Sequence, residues 1–140
     1  MSRSQAAYDE LYVYTMDRPH FILQHVVDAQ AAQTADAAVK PIKIIFALLG
    51  LYLHLEKGFT GTQVQQVHMR LGRHKREWPP IVLPQDRGAI TPLEVMAAPA
   101  GAERDAAVDR WCDAVWQAFA ASRETIIRLM ADEGIAPGPL

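Results

Sequence analysis

The stretch Pro41-Ile42-Lys43-Ile44-Ile45-Phe46-Ala47-Leu48-Leu49-Gly50-Leu51-Tyr52-Leu53-His54-Leu55-Glu56-Lys57-Gly58 decides the fold. Only Lys43 and His54 interrupt its apolar run of about 14 residues, which is shorter than the roughly 20 residues that a membrane span needs. Proline is tolerated in the first turn of a helix, and glycine commonly follows the last one. The stretch therefore predicts a buried core helix over residues 41–56.

Further helices are predicted on both sides of this one. Apolar residues at helical spacing indicate helices over residues 4–16, 19–33 and 103–134, and the last of these buries a stripe that includes Trp111, Cys112 and Trp116. Thr60 and Thr91 each precede a Gln or Glu by three residues, which is the capping-box pattern. These threonines predict a fourth helix that ends near residue 73 and a short helix that ends near residue 98.

The whole pattern favours an all-α fold. Prolines at 79, 80 and 84 exclude regular structure from residues 78–88. We therefore predict a helical bundle of about five main helices, with a proline-rich loop and a short helix before a long C-terminal helix. At 140 residues the chain has room for a single domain, which we expect to span residues 1–140.

Composition narrows the classes of function. The net charge of −2 provides no overall attraction to nucleic acid or to anionic lipid. The first ten residues are too polar for the apolar part of a signal peptide, and no segment is long enough to span a membrane. The single cysteine, Cys112, excludes an internal disulfide and fits a reducing compartment. We expect a soluble, cytoplasmic protein with no membrane partner, and an inert thiol on the buried stripe of the last helix.

The five histidines are the first candidates for chemistry. His20 and His25 lie about 140° apart around a helix, so they cannot bind one ion together as a pair spaced by four residues would. His25 and Asp28 are three residues apart and share a helix face. They suit a metal ligand with a neighbouring carboxylate, or a base oriented by an acid. The alternative is an interface histidine that Asp28 satisfies with a hydrogen bond.

His54 lies in the most apolar helix, after the small residues Ala47 and Gly50 on its own face. Small residues let a second helix or a ligand approach closely, so His54 is predicted to face a tight apolar space. Burial there would favour the neutral imidazole. The alternative is a core histidine that forms a hydrogen bond with a tyrosine.

These residues define a candidate site. If the third and fourth helices form an antiparallel hairpin, His68 can join His25 and His54, as ligands from facing helices do in bundles. The candidate pocket is then His20, His25, Asp28 and His54, and the candidate metal ligands are His25, His54 and His68. A transition metal such as zinc is the expected cofactor of such a site.

A basic segment offers a different function. Gln63, Gln66 and Arg70 would lie on a recognition helix that leads into the basic run ending at Arg76, so a helix-turn-helix interpretation is conceivable. Cations near the end of a helix are also favoured by the helix dipole and need no partner. With a negative net charge, binding to nucleic acid is not the favoured interpretation.

Two segments carry a resemblance to a known family. The first reads Arg18-Pro19-His20-Phe21-Ile22 and continues as Gln24-His25-Val26-Val27-Asp28-Ala29, and the second reads Lys40-Pro41-Ile42 and continues as Gly50-Leu51-Tyr52-Leu53-His54-Leu55-Glu56-Lys57-Gly58. With Thr60-Gly61 and the stretch around Trp111-Cys112, most of the chain resembles an uncharacterised bacterial family, the domain of unknown function 5946. The resemblance implies no activity, and it marks His20, His25, Asp28 and His54 as the positions to test first.

The sequence favours two other classes of function over binding to nucleic acid. One is an interaction module, a homodimer or a partner of another protein, in which the long last helix presents Trp111 and Trp116 to the second chain. The other is a metal-binding or acid–base domain in which His25 and His54 face one pocket. The sequence leaves open whether such a domain would be an enzyme.

Overall fold

A computed structural model describes residues 2–17 and 23–135 of the chain. Within these ranges the chain forms seven α-helices and no strand: α1 (Arg3–Met16), α2 (Gln24–Thr34), α3 (Pro41–Lys57), α4 (Gly61–Gly72), α5 (Pro92–Ala97), α6 (Ala102–Ala118) and α7 (Arg123–Asp132). A 3-10 turn, Ala120–Ser122, lies between α6 and α7. The all-α prediction is confirmed. The helix predicted from residue 19 begins at Gln24 in the structure, and residues 18–22 lie outside the described ranges.

Helix α3 is the central helix of the core. Pro41 opens it, and Gly58 ends it in the left-handed region (φ 72°), where glycine is favoured. α3 is buried nearly all round, because α2, α4, α6 and α7 pack against it. Each fully buried leucine, such as Leu48 or Leu51, contributes about 1.5–3 kcal/mol. In the described part of the chain, no helix combines the length and the apolar character that crossing a membrane requires.

Both predicted capping boxes form. The backbone N–H of Gln63 donates to Thr60 Oγ1 (3.2 Å), and Gln63 Oε1 accepts from the backbone N–H of Thr60 (2.8 Å). Thr91 and Glu94 make the equivalent exchange at the start of α5. Because the two partners are only three residues apart, these helix starts depend on local sequence alone.

The prediction of one long C-terminal helix is wrong. Phe119 leaves helical geometry (φ −97°, ψ 22°), and the 3-10 turn redirects the chain into α7. No glycine or proline marks this break. Glu56, at the end of α3, instead accepts hydrogen bonds from Trp116 before the break (2.7 Å) and from Arg123 after it (2.5 Å). Tertiary contacts therefore override local helix propensity here.

The two tryptophans of α6 belong to the chain's own core. Trp111 is 0% exposed and Trp116 is 2% exposed. Trp111 Nε1 donates to Gln33 Oε1 (2.9 Å), which satisfies the ring's one polar group. These rings therefore offer no apolar surface to another chain. The expected homodimer or protein partner stays a prediction, and the two tryptophans do not support it.

The proline-rich segment between α4 and α5 contains no regular secondary structure, as expected. Arg87 ties this segment to the end of α2. Its guanidinium donates to the carbonyl oxygens of Ala32 (3.3 Å), Gln33 (3.2 Å) and Ala35. Carbonyl groups at the end of a helix lack partners within the helix, so Arg87 serves as a side-chain cap of α2.

Candidate functional site

The candidate site lies on the seam between α2 and α3, which run antiparallel. His25 meets His54 at one level of this seam, and Asp28 meets Gly50 one helical turn away. The two imidazole rings stack, with centroids 3.9 Å apart and planes within 5° of parallel. A Cβ atom at Gly50 would lie 1.8 Å from Asp28 Oδ2, so the carboxyl group occupies space that only glycine leaves free.

His54 is half-buried and is held by the backbone. Its Nδ1 lies 3.0 Å from the carbonyl oxygen of Phe59, just beyond the end of α3. A carbonyl oxygen can only accept, so Nδ1 carries the hydrogen and Nε2 keeps its lone pair. The structure thus places His54, half-buried, against the ring of His25. Its partner is a carbonyl group and not the tyrosine of the alternative interpretation.

His25 is buried in the same stack and its ring is not anchored. Its Nδ1 is enclosed by protein and has no hydrogen-bond partner within the described ranges. Burial, reinforced by the neighbouring His54, lowers the pKa of His25 to about 3. The imidazole is therefore neutral near pH 7. The alternative in which Asp28 satisfies this histidine is not what the structure shows.

Asp28 is 4% exposed and is held by one oxygen only. Its Oδ1 accepts from Gln24 Nε2 (3.0 Å), and Gln24 Oε1 in turn accepts from Gln65 Nε2 (3.0 Å). Its Oδ2 has no partner in the described residues. Burial raises the pKa of Asp28 well above its usual value, and the Gln24 hydrogen bond opposes this only in part. Burial thus opposes the ionised form of the Asp28 carboxyl group.

Asp109 of α6 completes a cluster of potential metal ligands. One ligand atom each from His25, His54 and Asp109 lies within 4.8 Å of the other two. Partial burial raises the pKa of Asp109, although the nearby His54 opposes this effect. The cluster runs from buried His25 through half-buried His54 to exposed Asp109, so it is open to solvent at one end.

Asp109 is the residue that the sequence analysis missed. The only signal is its position three residues before Cys112, at the edge of the buried stripe of α6. The Cys112 thiol lies against α2, where it donates to the carbonyl oxygen of His25 (3.5 Å). The sequence gives no signal that α6 packs beside α2 at the position of His25.

The third predicted ligand, His68, lies elsewhere. His68 Nε2 donates to the carbonyl oxygen of Phe46 (2.8 Å), and its ring stacks on the Phe46 ring at 5.0 Å. It is not a member of the cluster formed by the described residues. His68 is therefore replaced by Asp109 as the third potential ligand. His20 lies outside the described ranges.

The basic segment is partly neutralised within the chain. Glu133 accepts from Arg76 Nη1 (2.8 Å) and from His74 Nδ1, while its backbone carbonyl accepts from Arg70 (3.0 Å). Two arginines and the histidine of the segment that suggested binding to DNA thus contact the end of α7. Binding to nucleic acid remains an untested alternative.

Cys112 matches the expectation of an inert thiol. It is fully buried, and burial raises its pKa well above the usual value. Because the thiolate is the reactive form, this thiol is a poor nucleophile and a poor metal ligand.

The arrangement can hold a divalent ion if one of the stacked rings turns. Tetrahedral zinc bonds to nitrogen at about 2.0–2.1 Å, which places its ligand atoms about 3.4 Å apart. The three ligand atoms are already within 4.8 Å of one another. An imidazole binds an ion in the plane of its ring, however, and one ion cannot lie in two parallel planes. At least one of the two rings must turn out of the stack.

Comparison with known proteins gives a family and no activity. The model of a family of unknown function, DUF5946, matches residues 4–120. No curated protein and no solved structure matches the chain. Since the match covers most of the sequence, the chain belongs to the DUF5946 family.

Proposed function

We propose that the protein binds one divalent transition-metal ion, such as zinc, through His25, His54 and Asp109. The observation that carries this proposal is the convergence of the three side chains from α2, α3 and α6 within 4.8 Å. Two imidazoles and one carboxylate form a common donor set for zinc and for non-haem iron.

The state of each ligand supports the proposal. His54 has its hydrogen on Nδ1, where the Phe59 carbonyl holds it, so Nε2 is free to bind an ion. The lowered pKa of His25 keeps its imidazole neutral, which is the form that binds metals. Asp109 adds one negative charge at the solvent side and gives the ion a path of entry.

Three protein ligands leave a fourth position open. In zinc sites this position holds water or a substrate, whereas purely structural sites use four protein ligands. A bound ion would supply Lewis acidity and would lower the pKa of a bound water towards 7. The site is therefore of the type used in catalysis, and the ligand at the open position would come from the solvent side, where Asp109 lies.

The test is the stoichiometry of bound metal. Protein purified without chelator, and protein dialysed against zinc, should both contain close to one equivalent by elemental analysis. His54→Ala and Asp109→Ala should lose the ion, because two remaining ligands cannot hold it tightly.

Two histidines outside the cluster provide matched controls. His68→Ala removes a half-buried histidine that binds Phe46, and His74→Ala removes an exposed one that pairs with Glu133. Both variants should keep full occupancy. A wild-type protein free of metal after zinc dialysis, or loss of zinc in His68→Ala but not in Asp109→Ala, would refute the proposal.

A further inference from the structure

Two buried polar atoms on the α2–α3 seam have no partner among the described residues: Nδ1 of His25 and Oδ2 of Asp28. Leaving such an atom unsatisfied is costly, and most buried polar atoms in folded proteins avoid it. The two residues lie three apart in α2, so their side chains emerge on the same face of the helix. Two unpartnered polar atoms therefore belong to side chains on one face of α2.

The same region must change shape if it is to hold an ion, because the two stacked rings cannot both point at it. The His54 ring is fixed by its hydrogen bond to the Phe59 carbonyl. Nδ1 of His25 has no hydrogen-bond partner among the described residues, so no bond at that atom holds this ring in the stack. Its Nδ1 faces the protein interior, which leaves Nε2 as the nitrogen for the ion.

The surroundings of Asp28 suit it to receive the other nitrogen. Gln24, backed by Gln65, holds Oδ1 and leaves Oδ2 uncommitted. Gly50 lets the carboxyl group lie against α3, one turn of about 5.4 Å from the level of the two rings. Histidines that bind metals usually donate their second N–H to a carboxylate or a carbonyl group, and His54 already has the Phe59 carbonyl in that place.

We propose, on the basis of the metal site above, that Asp28 is the positioning residue of His25. When the His25 ring turns to bind the ion through Nε2, its Nδ1–H donates to Asp28 Oδ2. This single movement separates the parallel rings, orients a metal ligand and satisfies both unpartnered atoms. The positive charge of the ion favours the ionised carboxyl group as the acceptor.

The decisive experiment compares zinc affinities by competition with a chromogenic chelator. Asp28→Ala removes the acceptor and should weaken zinc binding about 10–100-fold. Asp28→Asn keeps an acceptor oxygen and should lose less. Gln30→Ala is the matched control, because Gln30 is also a buried residue of α2 with an unpartnered oxygen. It should bind zinc as the wild type does.

A spectroscopic measurement distinguishes positioning from general structural support. In zinc-loaded wild-type protein, nitrogen NMR of the imidazoles should show His25 bound through Nε2, with a proton on Nδ1 that is protected from exchange with solvent. In Asp28→Ala this proton should exchange rapidly. The wild-type spectrum decides the matter even if Asp28→Ala fails to fold.

The outcomes separate this inference from the proposed function. A wild-type protein that takes up no zinc overturns both. Zinc bound by the wild type and equally well by Asp28→Ala, or coordinated by His25 through Nδ1, overturns the role of Asp28 alone. A loss of affinity as large in Gln30→Ala as in Asp28→Ala would also overturn it, because the effect would then be general to α2.

Discussion

The two stacked histidines differ in burial and in hydrogen bonding although they are residues of the same type. His54 is half-buried and has a backbone acceptor for its Nδ1–H. His25 is buried, and its Nδ1 has no partner in the part of the chain that the structure describes. The sequence singles out both histidines, because Asp28 follows His25 on one face and Gly50 precedes His54 on another. It cannot show which ring is anchored, since the Phe59 carbonyl comes into reach only when Gly58 ends α3.

The burial of His25 predicts a pH dependence of stability in metal-free protein. Its pKa is about 3 in the folded chain and close to 6.5 when unfolded. Below pH 6.5 the unfolded chain binds a proton that the folded chain does not bind, so stability decreases as the pH falls from 6.5 towards 3. At pH 5 this residue should cost about 2 kcal/mol relative to neutral pH.

The measurement is urea unfolding at several pH values in the presence of a chelator, for the wild type and for His25→Phe, which keeps a flat ring in the stack. Other titrating groups contribute to both proteins and cancel in the difference. Among these, Asp28 acts with opposite sign, because its raised pKa makes stability fall as the pH rises above about 4. Identical pH profiles for the two proteins would contradict the buried neutral state of His25.

The α2–α3 seam is the element on which the site depends. Its register is fixed where the Asp28 carboxyl group fills the space beside Gly50, and this register brings the His25 and His54 rings together. The sequence indicates a close approach at Gly50, because glycine in the interior of a helix is costly unless something uses the space. The identity of the approaching group follows only from how the helices pack.

Gly50→Ala should destabilise the protein by about 1–3 kcal/mol, because the new Cβ would overlap the Asp28 carboxyl group. In an Asp28→Ala background the same change should be close to neutral, because alanine favours helix by up to about 1 kcal/mol and only Val64 Cγ1, 3.3 Å from the new Cβ, then lies close. Urea unfolding of the four proteins in this double-mutant cycle measures the coupling.

Gly72→Ala provides the control for this cycle. Gly72 also lies in a helix, α4, and a Cβ added there would contact nothing within 4 Å. The substitution should therefore have nearly the same small effect whether residue 28 is Asp or Ala. If Gly50→Ala costs as much without Asp28 as with it, the proposed register contact is wrong.

Across the whole molecule, the features that the sequence predicts correctly are those that depend on residues close together in the chain. The capping boxes at Thr60 and Thr91 and the helix end at Gly58 each involve residues a few positions apart, and all three are confirmed. Two features depend on distant segments and were not predictable. The break after Ala118 requires Glu56 to contact both sides of it, and Asp109 enters the site only because α6 packs beside the seam.

The same contrast explains why function was harder to predict than fold. An all-α fold follows from helical periodicity and caps, which each segment carries by itself. The candidate metal site draws one residue from each of three helices and has no motif within any one of them. The sequence identifies the histidines and Asp28 as candidates. Which side chains converge, with Asp109 in place of His68, follows only from the packing of the helices.

Crystals of the protein grown with zinc provide the most direct test of the metal site. An anomalous difference map at the zinc absorption edge should contain one strong peak between His25, His54 and Asp109, with the His25 ring turned out of its stack. A peak only at His68, a peak only between His74 and Glu133, or no ordered peak at all would contradict the central claim.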